Sequence, residues 1–189
     1  FAVQDWFYQV NNIMHAMRNS PKANFAGQNF ERWISMGAFG TGSLFIDFMA
    51  GVGLRYRCVN LRDTFFLENH QGIIDSVYRC FKHTARQAAQ RWGEENLPER
   101  VRKALENPSR QNEHFEFLHV VAPRTDYDSG RADARGKPWA SYYLSVPDKM
   151  LLAPEGGFTS FPYSIARYVT APEEVYGRSP AMTALADIK

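Results

Sequence analysis

Apolar residues at helical spacing predict two helices at the start of the chain. Over residues 2–18 they recur at steps of four, three and four, which predicts one helix with a wide apolar stripe. The stripe consists of Trp6, Val10, Ile13 and Met17, with Phe7 and Met14 beside them. Asn24 is predicted to cap a second helix, in which Phe30, Trp33 and Ile34 share a face.

The pattern then changes to runs rich in branched and aromatic residues, which are typical of β-strands. The strand-like segments are SLFIDFM, LRYRCVNL, TFFLENHQGIIDSVYRCFKH, EHFEFLHVVAPR and WASYYLSVPDK. The third contains a polar turn, Asn69 to Gly72, that suits a hairpin. The last two flank the polar residues 125–138, which are predicted to form a long, exposed and mobile loop. Residues 150–169 are broken by Pro and Gly, which predicts short edge segments.

A helical insertion is predicted between the hairpin and the later strands. Thr84 and Gln87 have the spacing of a capping box, and Gly93 fits a left-handed residue at the end of that helix. A second short helix is predicted to begin at Pro98. The chain is therefore predicted to have an α+β fold: N-terminal helices, a largely antiparallel sheet with a helical insertion, and an outgoing C-terminal helix.

The last helix is preceded by a five-residue turn that we call the C-terminal motif: Tyr176, Gly177, Arg178, Ser179 and Pro180. Tyr176-Gly177 is predicted to place a left-handed residue before the helix. Ser179 is a good N-cap, and Pro180 is a good first helical residue. The motif therefore predicts a tight turn that leads directly into a helix.

Composition narrows the class of protein. A chain of 189 residues fits one domain, or one domain with an appendage. The formal net charge of +2 argues against a strongly basic nucleic-acid binder. Two cysteines, Cys58 and Cys80, are too few for a disulfide scaffold and are predicted to be reduced, half-buried strand residues. No apolar run is long enough for a membrane span, and because the chain begins with Phe we expect the natural protein to extend beyond both ends.

Three candidate motifs, for a phosphate loop, a calcium loop and a histidine metal site, lack the sequence context that each site requires. The glycines of GAFGTGSLFID follow a helix and open a strand, whereas a phosphate loop needs the opposite order. Asp126 and Asp128 have the spacing of a calcium loop, but Gly130 stands where the next ligand belongs. His114 and His119 are five apart in a strand and point to opposite faces. We therefore predict no catalytic residue, no cofactor and no metal ligand.

One local excess of positive charge remains. Residues 79–110 hold eight Lys or Arg against four Glu, a net charge of +4. Five of them form what we call the basic surface: Arg86, Arg91, Arg100, Arg102 and Lys103. These residues could form a contact surface for DNA phosphate or for an acidic protein. They could instead be the solvated faces of two amphipathic helices, and this interpretation is favoured.

YGRSPAMTALADIK, residues 176–189, resembles a segment of the head-to-tail connecting (portal) proteins of short-tailed bacteriophages. In that family a Tyr-Gly-Arg-small-Pro turn is followed by Ala-Met, a Leu and Asp-Ile-Lys, here Ala181, Met182, Leu185, Asp187, Ile188 and Lys189. GTGSLFID, FKHTARQAAQRWG and GGFTSFPYSIARY also resemble family segments, so the resemblance spans nearly the whole chain. Family members often carry Gly where this chain has Ser179.

The resemblance implies a structural subunit without enzymatic activity. Residues 1–175 would be a wing-like α+β domain, and 176–189 the turn and start of a helix directed to the stem. The intact protein would form a homo-oligomeric ring, a dodecamer, at one capsid vertex, through which double-stranded DNA is packaged and ejected. Its partners would be capsid and scaffolding proteins, terminase, tail proteins and the passing DNA, with no membrane. It would reside in the virion, from a phage or a prophage, and in the host cytoplasm during assembly.

Two alternatives stay open at the level of sequence. One is a phage-encoded, metal-dependent nucleic-acid hydrolase, which needs convergent Asp, Glu or His side chains and Mg²⁺. The other is a stand-alone α+β protein-binding module, which predicts a natural length close to this one.

Overall fold

The computed structural model describes residues 2–49, 51 and 53–187. The helices are α1 (Ala2–Asn19), α2 (Phe25–Phe39), α3 (Ala85–Trp92), α4 (Glu99–Glu106) and α5 (Pro180–Ala184). The strands are β1 (Thr41–Met49), β2 (Gly53–Val59), β3 (Thr64–Glu68), β4 (Ile74–Thr84), β5 (His114–Pro123), β6 (Trp139–Ser145), β7 (Met150–Leu151), β8 (Gly156–Phe158) and β9 (Tyr163–Arg167). The predicted α+β fold, with helices first, an insertion and an outgoing helix, is confirmed.

The chain forms two compact units. The first is drawn from residues 1–61 and 162–189. It contains a three-stranded antiparallel sheet in the order β2-β1-β9, on which α2 packs. Leu44, Phe45 and Tyr163 are buried in this sheet, and the Phe45 and Tyr163 rings lie 5.0 Å apart. The first unit thus joins the N-terminal helices to the last strand and to α5.

The second unit comprises residues 62–161. Its six-stranded antiparallel sheet has the order β3-β4-β5-β6-β7, and β8 pairs with β6. The core lies between this sheet and the α3–α4 insertion and consists of Ala85, Ala88, Trp92, Leu97, Val101, Ala104, Phe115, Phe117 and Leu152. Burying these side chains is the main stabilising contribution of the insertion.

Local signals explain where several elements begin. The side chain of Thr84 accepts a hydrogen bond from the Gln87 N–H at 3.2 Å, and the Gln87 side chain bonds back to the Thr84 N–H at 3.0 Å, which confirms the capping box. In the β3–β4 hairpin, the Asn69 carboxamide oxygen accepts from the N–H groups of Gln71 and Ile73 at 2.9 and 3.1 Å. The predicted hairpin and the predicted two-helix insertion are therefore both present.

Two local predictions are wrong. Asn24 precedes α2 but has left-handed backbone angles, and its side chain makes no capping hydrogen bond. Gly93 has φ 81° and ψ 153°, which lies outside the left-handed helical region, although its N–H does bond to the carbonyl of Ala89. Helix α2 still begins after Asn24, and α3 still ends before Gly93, as predicted. The backbone angles of these two boundary residues differ from the predicted ones.

The 125–138 loop is held at both ends by the buried side chain of Arg124. Its guanidinium donates to the carbonyl oxygens of Lys137 and Gly156, both at 3.1 Å, and pairs with the Glu155 carboxylate. A single 3-10 turn, Ala134–Gly136, lies inside the loop. Most residues of the loop are exposed, as predicted, and its mobility stays a prediction.

The predicted division into residues 1–175 and 176–189 stays a prediction, and in the structure the C-terminal motif belongs to the first compact unit. Ile188 and Lys189 lie outside the described residues. Among the helices that are described, none has the length and apolar character that crossing a membrane requires.

Candidate functional site

The C-terminal motif packs against the junction between α2 and β1. The Gly177 N–H donates to the hydroxyl of Thr41 at 2.8 Å, in a buried contact. The Ser179 hydroxyl donates to the carbonyl oxygen of Ala38 at 2.9 Å. The motif is therefore bound to the end of α2 and to the first residue of β1, which precede it in sequence by more than a hundred residues.

Two glycines make this approach possible. A Cβ atom added to Gly177 would lie 2.2 Å from the carbonyl oxygen of Gly40, and one added to Gly40 would lie 2.1 Å from the carbonyl oxygen of Gly177. Gly40 also has φ +78°, as the left-handed residue that ends α2. The two backbones cross in direct contact, and no side chain fits between them.

The prediction of a left-handed residue at Tyr176-Gly177 is wrong. Among the described residues with positive φ, neither Tyr176 nor Gly177 occurs. Glycine is required at 177 because another backbone lies against it, and its conformational freedom is not used. Tyr176 is exposed.

The helix start is as predicted. Ser179 has extended backbone angles, and its hydroxyl accepts a hydrogen bond from the Met182 N–H at 2.9 Å. Pro180 follows as the first helical residue. Because Ser179 is only 1% exposed and its hydroxyl also donates to α2, one side chain caps α5 and fastens it to the first unit.

Arg178 projects away from this contact. Its backbone N–H donates to the carbonyl of Val169 at 2.7 Å, while its exposed guanidinium bonds to Glu174 at 2.6 and 2.9 Å. The hydrogen bond from Arg178 lowers the pKa of the Glu174 carboxyl. The motif thus directs its two small residues inward and its charged residue outward, so that it works as a fixed joint between the sheet and the outgoing helix.

Two members of the basic surface are engaged with neighbouring side chains in the second unit. The Arg91 guanidinium lies over the Tyr143 ring, with Cζ 4.5 Å from the ring centroid. Arg100 donates from Nε to the Asp148 carboxylate at 2.8 Å. Both cations therefore have a structural explanation that involves no ligand.

The other three members are exposed helix residues. Lys103 pairs with Glu99 one turn earlier at 2.6 Å. Within the described part of the chain, Arg86 and Arg102 are exposed and form no ion pair. The structure thus leaves two of the five cations available to a partner, and a ligand role for the basic surface stays a prediction.

The most strongly perturbed ionisable group is His119, in the core face of β5. It is 1% exposed, its Nε2 lies 3.0 Å from the Ser141 hydroxyl, and its ring stacks on Tyr143 at 4.2 Å between centroids. Burial, helped by the charges of Arg79 and Arg91, lowers its pKa to about 3. His119 is neutral at physiological pH, while His114 on the same strand is exposed, as their odd spacing predicted.

The other reactive side chains are dispersed. Cys58 is half-buried and Cys80 is exposed, so the prediction of half-burial is right for the first and wrong for the second. Burial raises the pKa of the Cys58 thiol, and partial desolvation together with the charges of Asp63 and Glu116 raises that of Cys80, which keeps both thiols protonated. In the part of the chain that the structure describes, no group of three or more His, Cys, Asp or Glu side chains is placed to hold a metal ion.

Comparison with known proteins identifies one matching family and two similar phage proteins. Residues 2–189 match the family model described as bacteriophage head to tail connecting protein. The chain is 30% identical to the portal protein of Salmonella phage epsilon15 over 99% of its length, and 27% identical to the probable portal protein of Bordetella phage BPP-1 over all of it. It covers 34% of each, so it spans about a third of the length of these relatives.

The chain belongs to the family of bacteriophage head to tail connecting proteins, since the family model covers nearly all of it. The resemblance drawn from the C-terminal motif is thereby confirmed. Sequence reasoning named the five motif residues but missed their partners Gly40, Thr41 and Ala38. The GTGSLFID segment, which also resembles the family, was the signal that could have identified Gly40 and Thr41.

Proposed function

We propose that this chain is the wing-like part of a portal subunit, a structural and non-enzymatic component of a phage or prophage particle. The complete protein forms a dodecameric ring at one capsid vertex. Double-stranded DNA is packaged through the ring by a separate terminase and is later ejected through the same ring, and tail proteins attach to it. The observation that carries the proposal is the family match over residues 2–189, together with two relatives named as portal and probable portal proteins.

The geometry of the C-terminal motif supports a fixed starting point for the stem-directed helix. The motif is fastened to α2 and β1 by two hydrogen bonds and by the Gly40–Gly177 crossing. A helix that starts from such a joint leaves the unit in a fixed direction, which a subunit needs if its next segment is to line a channel. In this proposal α5 begins the stem-directed helix.

The same role accounts for the distribution of charge. The net charge is only +2, and three of the five cations of the basic surface already have partners within the chain. The affinity of this surface for phosphate is therefore weak. Weak affinity suits a ring through which DNA must slide. Capsid, scaffolding, terminase and tail contacts are then made by other surfaces of the ring.

Native mass spectrometry of the complete gene product tests the proposal. We expect a single closed oligomer of twelve subunits, whereas residues 1–189 alone should be monomeric or weakly associated. A complete protein that stays monomeric at micromolar concentration, or that is no longer than this chain, would contradict it. Cleavage of DNA that depends on added Mg²⁺ would favour a nucleic-acid hydrolase instead.

A further inference from the structure

The 125–138 loop is tied to strand β8 through one buried arginine. Arg124 follows β5, and its side chain is only 2% exposed. Its Nε donates to the carbonyl oxygen of Lys137 at the end of the loop, and its Nη2 donates to that of Gly156 at the start of β8, both at 3.1 Å. Its backbone N–H donates to the carbonyl oxygen of Pro138 at 2.8 Å. One residue therefore joins the end of the loop to a strand that pairs with β6 at the edge of the sheet.

Two carboxylates neutralise the buried guanidinium. Nη1 of Arg124 pairs with Glu155, directly before β8, and lies 3.5 Å from Asp126, inside the loop. Asp126 also pairs with Arg135 at 3.2 Å, which extends the network to the 3-10 turn of the loop. A buried cation is costly unless it is paired and hydrogen-bonded. The guanidinium therefore stays buried only while the loop and the start of β8 both hold their places.

The loop is also closed by its own backbone. The Asp128 N–H donates to the carbonyl oxygen of Arg135 at 3.0 Å, and the Arg131 N–H donates to that of Asp128 at 3.2 Å. A Cβ atom added to Gly136 would lie 1.8 Å from the carbonyl oxygen of Arg131, so the two arms of the loop are in direct contact. Loops whose ends are close together and whose own residues pack them are compact. The polar composition predicts mobility, whereas these contacts predict one ordered conformation.

Strand β8 depends on the end of the loop for its position. It has only three residues, fewer than most strands, and pairs with β6. A Cβ atom added to Gly157 would lie 2.7 Å from the carbonyl oxygen of Trp139 and 3.0 Å from the Cβ atom of Lys137. The strand thus packs directly on the residues that end the loop, and an open loop removes that support.

We infer that Arg124 is a latch, through which the 125–138 loop and β8 open and close as one element while the rest of the second unit stays folded. Proteins open locally in contiguous cooperative units whose stability is lower than that of the core. The core beneath α3 and α4 contains no residue of the loop or of β8, so opening leaves it intact. The latch lies within the second unit and does not rest on the proposed ring.

Hydrogen–deuterium exchange of the complete protein, followed by mass spectrometry, tests the latch. In the wild type we expect peptides that cover residues 125–138 and 154–160 to have similar protection factors, of about 100 or more. Arg124→Met should lower the protection of both peptides together by at least about tenfold, because it removes their shared charge-assisted hydrogen bonds. A peptide from β4 should change by less than about threefold, since the core remains closed.

Arg131→Met is the matched control, because it removes an arginine from the same loop. Arg131 pairs with Asp133, and both side chains are about half exposed. Exposed ion pairs contribute little to stability, so both peptides should keep their wild-type protection within about twofold. A loss as large as that of Arg124→Met would overturn the inference, since the order of the loop would then not depend on the buried residue.

Two other results would also overturn it. Rapid exchange of the loop in the wild type means that it is open without any substitution, and loss of protection in the loop alone means that β8 is held independently. If Arg124→Met unfolds the whole unit, which the β4 peptide reveals, Arg124→Lys replaces it. Lysine keeps the charge but lacks the planar fork that reaches several acceptors, so the loop and β8 should again lose protection together. An equal loss in β4 with this milder variant would refute a local latch.

Discussion

Replacing Gly177 with Ala should destabilise the first unit by about 1–3.5 kcal/mol. The new methyl group would lie 2.2 Å from the Gly40 carbonyl oxygen and 3.0 Å from the Cβ atom of Arg167. The oxygen belongs to the backbone, so relief requires the chain to move, and overpacking of this kind costs about 1–3 kcal/mol. That movement also weakens the hydrogen bond from the Tyr168 N–H to Gly40 at 2.8 Å, which contributes about 1 kcal/mol. The lower entropy of the unfolded alanine chain offsets about 0.4–1 kcal/mol of the loss.

Gly37→Ala is the matched control. Gly37 lies inside α2, and a methyl group there meets no atom within 4 Å. Alanine is favoured over glycine in a helix by about 1 kcal/mol, so this variant should be slightly more stable than the wild type. Urea denaturation followed by far-ultraviolet circular dichroism measures both free energies of unfolding.

A third variant separates the two explanations for glycine at 177. If Gly177 were needed for a left-handed conformation, Asn would be tolerated better than Ala. Because the constraint is contact with another backbone, Gly177→Asn should be at least as destabilising as Gly177→Ala. A Gly177→Ala variant within 0.5 kcal/mol of the wild type, or an Asn variant clearly more stable than the Ala variant, would refute the reasoning.

Three further predictions concern single side chains. Ser179→Ala removes a helix cap and a buried hydrogen bond, and should lower the free energy of unfolding by about 1–2 kcal/mol in urea, while the exposed control Ser160→Ala changes it by less than about 0.5 kcal/mol. The folded pKa of His119 is about 3, below its unfolded value, so its contribution to stability is complete above pH 6.5 and falls by about 2 kcal/mol at pH 5. His119→Gln should therefore lose less stability than the wild type between pH 7.5 and pH 5, and equal losses would contradict this. Replacing Arg86 and Arg102 with Ser should weaken any binding of this chain to duplex DNA and reduce its salt dependence, as measured by fluorescence anisotropy; an unchanged salt slope would show that neither cation contacts phosphate.

Local sequence signals predicted the elements well. The capping box of Thr84 and Gln87, the hairpin turn at Asn69 and the cap at Ser179 all act within four residues along the chain, and the structure contains each of them. Alternating branched and aromatic residues located the strands for the same reason. A signal confined to a few neighbouring residues can be read without knowing the rest of the fold.

Long-range packing could not be predicted in this way. The role of Gly177 depends on Gly40 and Thr41, and the hydrogen bond to Thr41 spans 136 residues. The division into two units was also not predicted, because the chain returns to the first unit after Phe161, and the breaks at Pro and Gly there indicate short segments without showing which sheet they join. The periodicity of α1 located the helix correctly, but periodicity does not reveal what covers an apolar stripe.

Electron microscopy of the complete protein tests the central claim most directly. The account predicts closed rings with a central channel wide enough for duplex DNA, in which the helix that begins after Ser179 runs toward the channel. Particles that never close into rings, or rings in which this helix points away from the channel, would contradict it.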